Sequence, residues 1–319
     1  MAALTLLALS ATVCNSEEIV SNSPNSVQTV AISRSAKPQF LSEIALSSAD
    51  FRFSAPEPQR QPEFARTFSP IDAVLNEAAS APRSGGQLYV QRLAALNTGQ
   101  LYTRLPTDSF REWWQSVSVQ PTYQDWRSLL TLEAEAVASG QGNQRLSVLL
   151  GDSISLWFPP ERLPKHQLWL NQGISGDTTW NILSRLSTFA NTRPDQIYVM
   201  AGVNDLKLGA LDVEILSNLR EIARRLRSMH PHAKIILQSI LPTRLVQVTP
   251  NRIEQLNQQL ATIAREEGAE YLDLFSQFVN QNGELISDYT TDGLHLNAQG
   301  YEVWQSRVER SEVRIAQVQ

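Results

Sequence analysis

Arg145-Leu-Ser-Val-Leu-Leu-Gly-Asp-Ser153 decides how this chain folds. The apolar run Leu146–Leu150 has the length of a strand buried on both faces, and Gly151-Asp152-Ser153 follows it where a helix should open. A serine hydroxyl at such a junction lies at the carboxyl edge of a parallel sheet, open to a substrate, with its N–H in the positive field of a helix start. Far downstream, Asp292-Gly293-Leu294-His295 offers an imidazole base and a carboxylate to orient it.

Working outward toward the C-terminus, apolar runs alternate with amphipathic stretches. Leu146–Leu150, Gln167–Leu170, Gln196–Met200, Lys234–Ile240 and Glu270–Leu274 read as strands. Ile215, Leu219, Ile222, Leu226 and Met229 form one helical stripe between the third and fourth of them. Repeated strand, helix, strand implies a parallel sheet covered on both faces, with chemistry beyond the carboxyl ends of its strands. Polar clusters are expected just there: Ser153 after the first strand, Asn171-Gln-Gly173 after the second, and Gly202-Val-Asn204-Asp205 after the third. Asp177-Thr178-Thr179 reads as the cap of a helix carrying Ile182, Leu186 and Phe189.

Upstream the pattern changes. Residues 87–142 carry Leu88, Val90, Leu93 and Leu96, then Trp126, Leu129, Leu130, Leu132, Ala134 and Val137, at largely helical spacing interrupted by Pro106 and Pro121, and read as a small helical extension. Within it the pair Trp113-Trp114 reads first as core, with a sugar- or membrane-gripping surface as the alternative. Residues 15–86 are rich in Ser, Pro, Gln and Asn without apolar periodicity, the composition of a disordered linker. Residues 1–14 are short and apolar like a signal-peptide core but lack a preceding basic residue, which leaves a secretory or envelope protein, an ordinary terminus of a cytoplasmic one, and a lipid anchor on Cys14 as the open readings. The domain proper is then 143–319. No other run approaches the length of a membrane span.

Composition narrows the function classes. At 319 residues and 42% hydrophobic content the chain can bury one full core with an appendage. A net charge of -5 with no concentrated basic patch argues against nucleic acid as a partner and leaves small neutral or lipid-like molecules open. Cys14 is the single cysteine, so no intrachain disulfide can form. His166, His230 and His232 show no metal-ligand spacing, and neither a Gly-x-Ser-x-Gly elbow nor a glycine-rich phosphate loop is present. No cofactor is expected.

Acyl transfer needs a nucleophile, a base and donors aimed at the oxyanion of the tetrahedral intermediate. Ser153 would attack, His295 would carry the proton, and Asp292 would hold the imidazole tautomer. The Ser153 and Gly173 N–H groups and the Asn204 amide would form the oxyanion hole. Asp205 reads as a turn residue. The stretch Leu156-Trp157-Phe158 reads as packing beneath the site, with an apolar acyl contact as the alternative.

Four blocks now stand in order: Gly151-Asp-Ser153, Asn171-x-Gly173-x-Ser-Gly176, Gly202-x-Asn204-Asp205 and Asp292-x-x-His295. Together they resemble the SGNH, or GDSL, hydrolases over about 147–308, with Ile154 where the name-giving motif has leucine. The resemblance implies a flavodoxin-like three-layer α/β/α sandwich with strand order 2-1-3-4-5, and catalysis by Ser153, Gly173, Asn204 and His295. The form Asp292-Gly-Leu-His-Leu-Asn297-Ala-Gln-Gly300-Tyr301 is most similar to the branch holding platelet-activating-factor acetylhydrolase-like proteins, acyl-thioesterase/lysophospholipases and carbohydrate acetylesterases. The expected activity is hydrolysis of acetyl, lipid or lysophospholipid acyl esters. The alternatives are acyl transfer or deacetylation on envelope carbohydrate, and a non-catalytic binding module on a tether. The resemblance does not extend to the first 142 residues, and oligomeric state is left open.

Overall fold

The computed structural model describes residues 81–316, so the signal-like and linker readings of residues 1–80 lie outside the described residues. In chain order the elements are α1 (Gly85–Asn97), α2 (Arg111–Trp114), α3 (Tyr123–Gly140), β1 (Leu146–Gly151), α4 (Ser153–Leu156), β2 (Leu168–Gly173), α5 (Thr179–Ser184), β3 (Gln196–Met200), α6 (Val203–Lys207), α7 (Asp212–Met229), β4 (Lys234–Gln238), α8 (Pro250–Glu266), β5 (Glu270–Leu272), α9 (Phe275–Phe278) and α10 (Ala298–Ala316).

The strands form one parallel sheet in the order 2-1-3-4-5. β1 lies inside it and every one of its residues is buried, including Ser147, whose hydroxyl accepts from the Gln167 amide at 3.0 Å. Continuous apolar sequence is what a strand covered on both faces requires, and each fully buried leucine there contributes about 1.5–3 kcal/mol. On α7 the stripe Ile215, Leu219, Ile222 and Leu226 is buried as its spacing predicts, with Met229 packed at its end.

Three strand ends differ from the sequence expectation. β2 runs on to Gly173, pairing Leu149 with Asn171 and Gly151 with Gly173, so the Asn171-Gln-Gly173 cluster ends the strand instead of following it. β4 stops at Gln238 because the Asn257 side chain replaces the next strand: its Oδ1 accepts from Ile240 N and its Nδ2 donates to Ile240 O, both at 2.8 Å. β5 stops at Leu272 because the Ser239 hydroxyl takes the N–H groups of Leu274 and Phe275, at 2.9 and 2.7 Å.

Residues 87–142 share their apolar packing with the sheet domain. Leu101, Ala134 and Val137 belong to the main core, while Leu156 and Ile174 from beside the site pack with Leu88, Tyr102, Trp126, Leu129 and Leu130. α3 starts on a capping box made by Thr122 and Asp125, a device whose removal costs about 1 kcal/mol. The helical segment also covers the open edge of β2. Thr103 Oγ1 donates to Trp169 O at 2.7 Å and Arg92 Nη2 donates to Asn171 O at 2.8 Å, so alternate carbonyls of an edge strand are satisfied. The opposite edge, β5, is protected by being three residues long. Of the tryptophan pair, Trp114 is buried and donates to Ser109 O, whereas Trp113 is 43% exposed.

Candidate active site

Ser153 is the first residue of α4, directly beyond β1, and Asn204 sits in the first turn of α6, beyond β3. Both are nearly buried, at 7% exposure. Leu156 and Phe158 pack beneath them at 2% exposure, with Phe158 edge-on to Tyr301 and Trp304.

His295 comes from a tight loop before α10 that its own hydrogen bonds organise. Thr290 Oγ1 donates to His295 O at 2.7 Å and accepts from Gly293 N at 2.9 Å, and Arg244 N ties Gly293 O to the segment after β4 at 2.8 Å. Asp292 Oδ1 accepts from the N–H groups of His295 and Leu294 at 2.8 and 3.0 Å, while Oδ2 lies 2.7 Å from His295 Nδ1. Partial burial acts to raise the Asp292 pKa, but these donors outweigh it and hold the carboxyl below its ordinary value. With Nδ1 protonated toward Asp292, Nε2 is left as acceptor, and it stands 3.0 Å from Ser153 Oγ. Ser153, His295 and Asp292 thus form a chain of hydrogen-bond contacts, the geometry that a nucleophile, a base and an orienting carboxylate require.

The structure does not bring all of the expected oxyanion donors together. Gly173 N–H donates to the Asn171 side chain at 2.9 Å, and a Cβ at Gly173 would lie 2.4 Å from Leu156 N and 2.9 Å from Asp152 O. Its glycine is required by close contact between β2 and α4, and its N–H is already used. The free glycine N–H of this block is that of Gly176. Ile174–Asp177 is a turn closed by Asp177 N to Ile174 O at 3.2 Å, and Gly176 takes φ +84°, the value of the third position of a type II turn. Among the described residues no acceptor takes the N–H of Gly176 or of Ser153. The Asn204 amide donates one hydrogen to Asp177 O at 3.0 Å, which fixes its plane and leaves the second hydrogen. Gly176 stood in the same sequence block as Gly173. Only the positive φ and the hydrogen-bond partners tell the two apart.

Three more carboxyls surround this end of the sheet. Asp152 is fully buried; its Oδ1 accepts from Ile154 N at 2.9 Å, its Oδ2 has no partner among the described residues, and burial pushes its pKa up to about 7. Asp205 caps α5, accepting from Thr179 N and Oγ1 at 2.8 and 2.6 Å, and burial raises it against those bonds. Asp177 is raised by burial while Arg185, 2.6 Å away, acts in the opposite direction. Thr178 caps α5 as its sequence suggests, in a capping box with Asn181.

A five-stranded parallel sheet with a Ser-His-Asp contact at its carboxyl edge defines the class, and the family follows from comparison. The chain belongs to the GDSL-like lipase/acylhydrolase family, a class of ester-hydrolysing enzymes: that family's model matches residues 140–303, just over half of the chain. Among curated proteins it is similar to platelet-activating factor acetylhydrolase IB subunit alpha2 of Rattus norvegicus, 30% identical over 139 residues that make up 41% of this chain. The match spans 58% of the rat protein's length. The Gallus gallus protein of the same name is 27% identical over 170 residues, covering 48% of this chain and 70% of its own. Among solved structures, a platelet activating factor protein from Streptococcus pneumonia superposes with a TM-score of 0.54 at 25% identity, covering 59% of this chain and 93% of its own. A GDSL-like lipase from Bacteroides thetaiotaomicron reaches 0.53 at 20% identity, covers 59% of this chain and 98% of its own, and shows the shared fold. Among the described residues no helix is long and apolar enough to cross a membrane.

Proposed function

We propose that this chain is a serine esterase that hydrolyses carboxylic esters through an acyl-enzyme on Ser153. The observation that carries the reading is the relay of 3.0 Å from Ser153 Oγ to His295 Nε2 and 2.7 Å from His295 Nδ1 to Asp292. Ser153 Oγ attacks the ester carbonyl carbon as its proton passes to Nε2, and Asp292 stabilises the imidazolium so formed. The N–H groups of Ser153 and Gly176 and the second amide hydrogen of Asn204 receive the developing oxyanion. Collapse breaks the C–O bond to the alcohol, which leaves with the proton from His295, and water then repeats the cycle to release the acid. The names of the similar proteins favour an acetyl ester on a lipid-like alcohol as substrate.

A series of p-nitrophenyl esters from acetate upward, with a fluorophosphonate label, tests this. Ser153→Ala should lower kcat roughly 10⁴- to 10⁶-fold and abolish labelling while leaving the melting temperature near that of the wild type. Turnover or labelling that survives Ser153→Ala would place the chemistry elsewhere.

A further inference from the structure

Arg185 follows α5 directly, and its side chain is wholly buried. A single guanidinium there reaches three segments. Nε donates to Asp177 Oδ2 at 2.6 Å, and Nη2 donates to Gln172 O at 2.8 Å and to Gly151 O at 3.1 Å. Gly151 O ends the strand that delivers Ser153 and also accepts from Ile174 N, the first residue of the Gly176 turn. Asp177 ends that turn, and its carbonyl holds the Asn204 amide. The planar fork thus touches the nucleophile strand and the oxyanion turn directly, and reaches the Asn204 amide through one residue.

We propose that Arg185 is a positioning residue for the oxyanion hole: through Asp177 it sets the Gly176 turn and the Asn204 amide against Ser153. The inference rests on the esterase reading and deepens it. The turn's backbone is fastened by one hydrogen bond across it, one at its start and the Asn204 amide at its last carbonyl. Its distance from the carbonyl under attack therefore depends on where Asp177 is anchored. A lysine ammonium keeps the charge but cannot span Asp177, Gln172 O and Gly151 O from one plane. Displacement of donors by an ångström or less acts on the transition state, where charge on oxygen is greatest, and little on ground-state binding.

Steady-state kinetics on p-nitrophenyl acetate test this with Arg185→Lys, Asp177→Asn, Asn204→Ala and the double variants. Arg185→Lys should lower kcat about 10- to 100-fold with KM within about threefold, and Asn204→Ala about 10²- to 10³-fold. Combining them should lower kcat by clearly less than the product of the two single losses, because both changes damage one donor set. A residue that only supports the fold would give multiplicative losses, and that result, or a wild-type kcat in Arg185→Lys, overturns the proposal. Asp177→Asn, which keeps the side-chain shape, decides by the same cycle if the lysine variant does not fold. Ser153→Ala separates the two readings: wild-type turnover unchanged by it overturns the esterase reading and this proposal together, whereas Ser153-dependent turnover with an indifferent Arg185 overturns this one alone.

Discussion

Two arginines are sealed into this protein at the end of the same strand, and they serve it differently. Arg92 and Arg185 are both wholly buried, both paired with a carboxylate, and both donate to neighbouring carbonyls of β2, Arg92 to Asn171 O and Arg185 to Gln172 O. Arg92 comes from the helical segment before the sheet. It forms a two-point pair with Glu133 at 3.0 and 2.5 Å and lies 4.4 Å from the Tyr102 ring centroid, partners of that same segment. Its one bond across to the sheet closes an edge. Arg185 bonds instead to the turn that offers Gly176 and holds Asn204. Identical chemistry yields an anchor in one place and a template in the other because their carboxylates are attached to different things: Glu133 to a helix, Asp177 to a turn.

Breaking the anchor should cost stability and spare the chemistry. Glu133→Gln leaves the Arg92 charge buried without its counter-ion and should destabilise by about 3–5 kcal/mol in denaturant unfolding, with kcat of the folded fraction within about twofold of wild type. The apolar pair Arg92→Met with Glu133→Leu should recover most of that loss. A large fall in kcat for these variants would erase the distinction between the two arginines.

Asp152 shows what a buried carboxyl does there without a guanidinium, and its effect is expected to be smaller. Because burial puts its pKa near 7, well above the unfolded value, the unfolded chain releases this proton first as pH rises. Between about pH 4 and 7 the unfolded state binds fewer protons, so this group lowers stability progressively, by up to a few kcal/mol, and the penalty is fully present above pH 7. Asp152→Asn should therefore gain relative to wild type across that window, measured as unfolding midpoints at pH 4, 5.5 and 7.5. A difference that does not change with pH would contradict the shifted titration. The smallest effect belongs to the edge itself: Thr103→Val removes the donor to Trp169 O and should cost about 1–2 kcal/mol without changing kcat.

Much of this is legible in the sequence. The strand at Leu146–Leu150, the stripe on α7 and the cap at Thr178 are local patterns, and Ser153 at a strand end and the Asp292-x-x-His295 spacing stand out as residue types, while their contact is made by the fold. The expected oxyanion donors are less legible. A glycine needed for close strand-helix packing and a glycine needed for positive φ look alike as letters, so the sequence does not tell that the Gly173 N–H is used by Asn171 while the Gly176 N–H has no acceptor among the described residues. Asp177 was legible only as part of a helix cap, and its role emerges from Arg185. An arginine in a sequence reads as a solvated residue, since arginine is almost never fully buried unless paired.

By itself the amino-acid sequence determined the alternation of strands and helices, the parallel sheet it implies and the candidate site residues Ser153, Asp292 and His295, because periodicity and turn chemistry act over a few residues. Tertiary structure alone decided which N–H groups remain free beside Ser153 and which buried charges meet. Arg92 finds Glu133 at 41 residues' separation and Asn171 at 79. Pairing over such distances is set by the packing that removes water from both partners, and no local pattern encodes it.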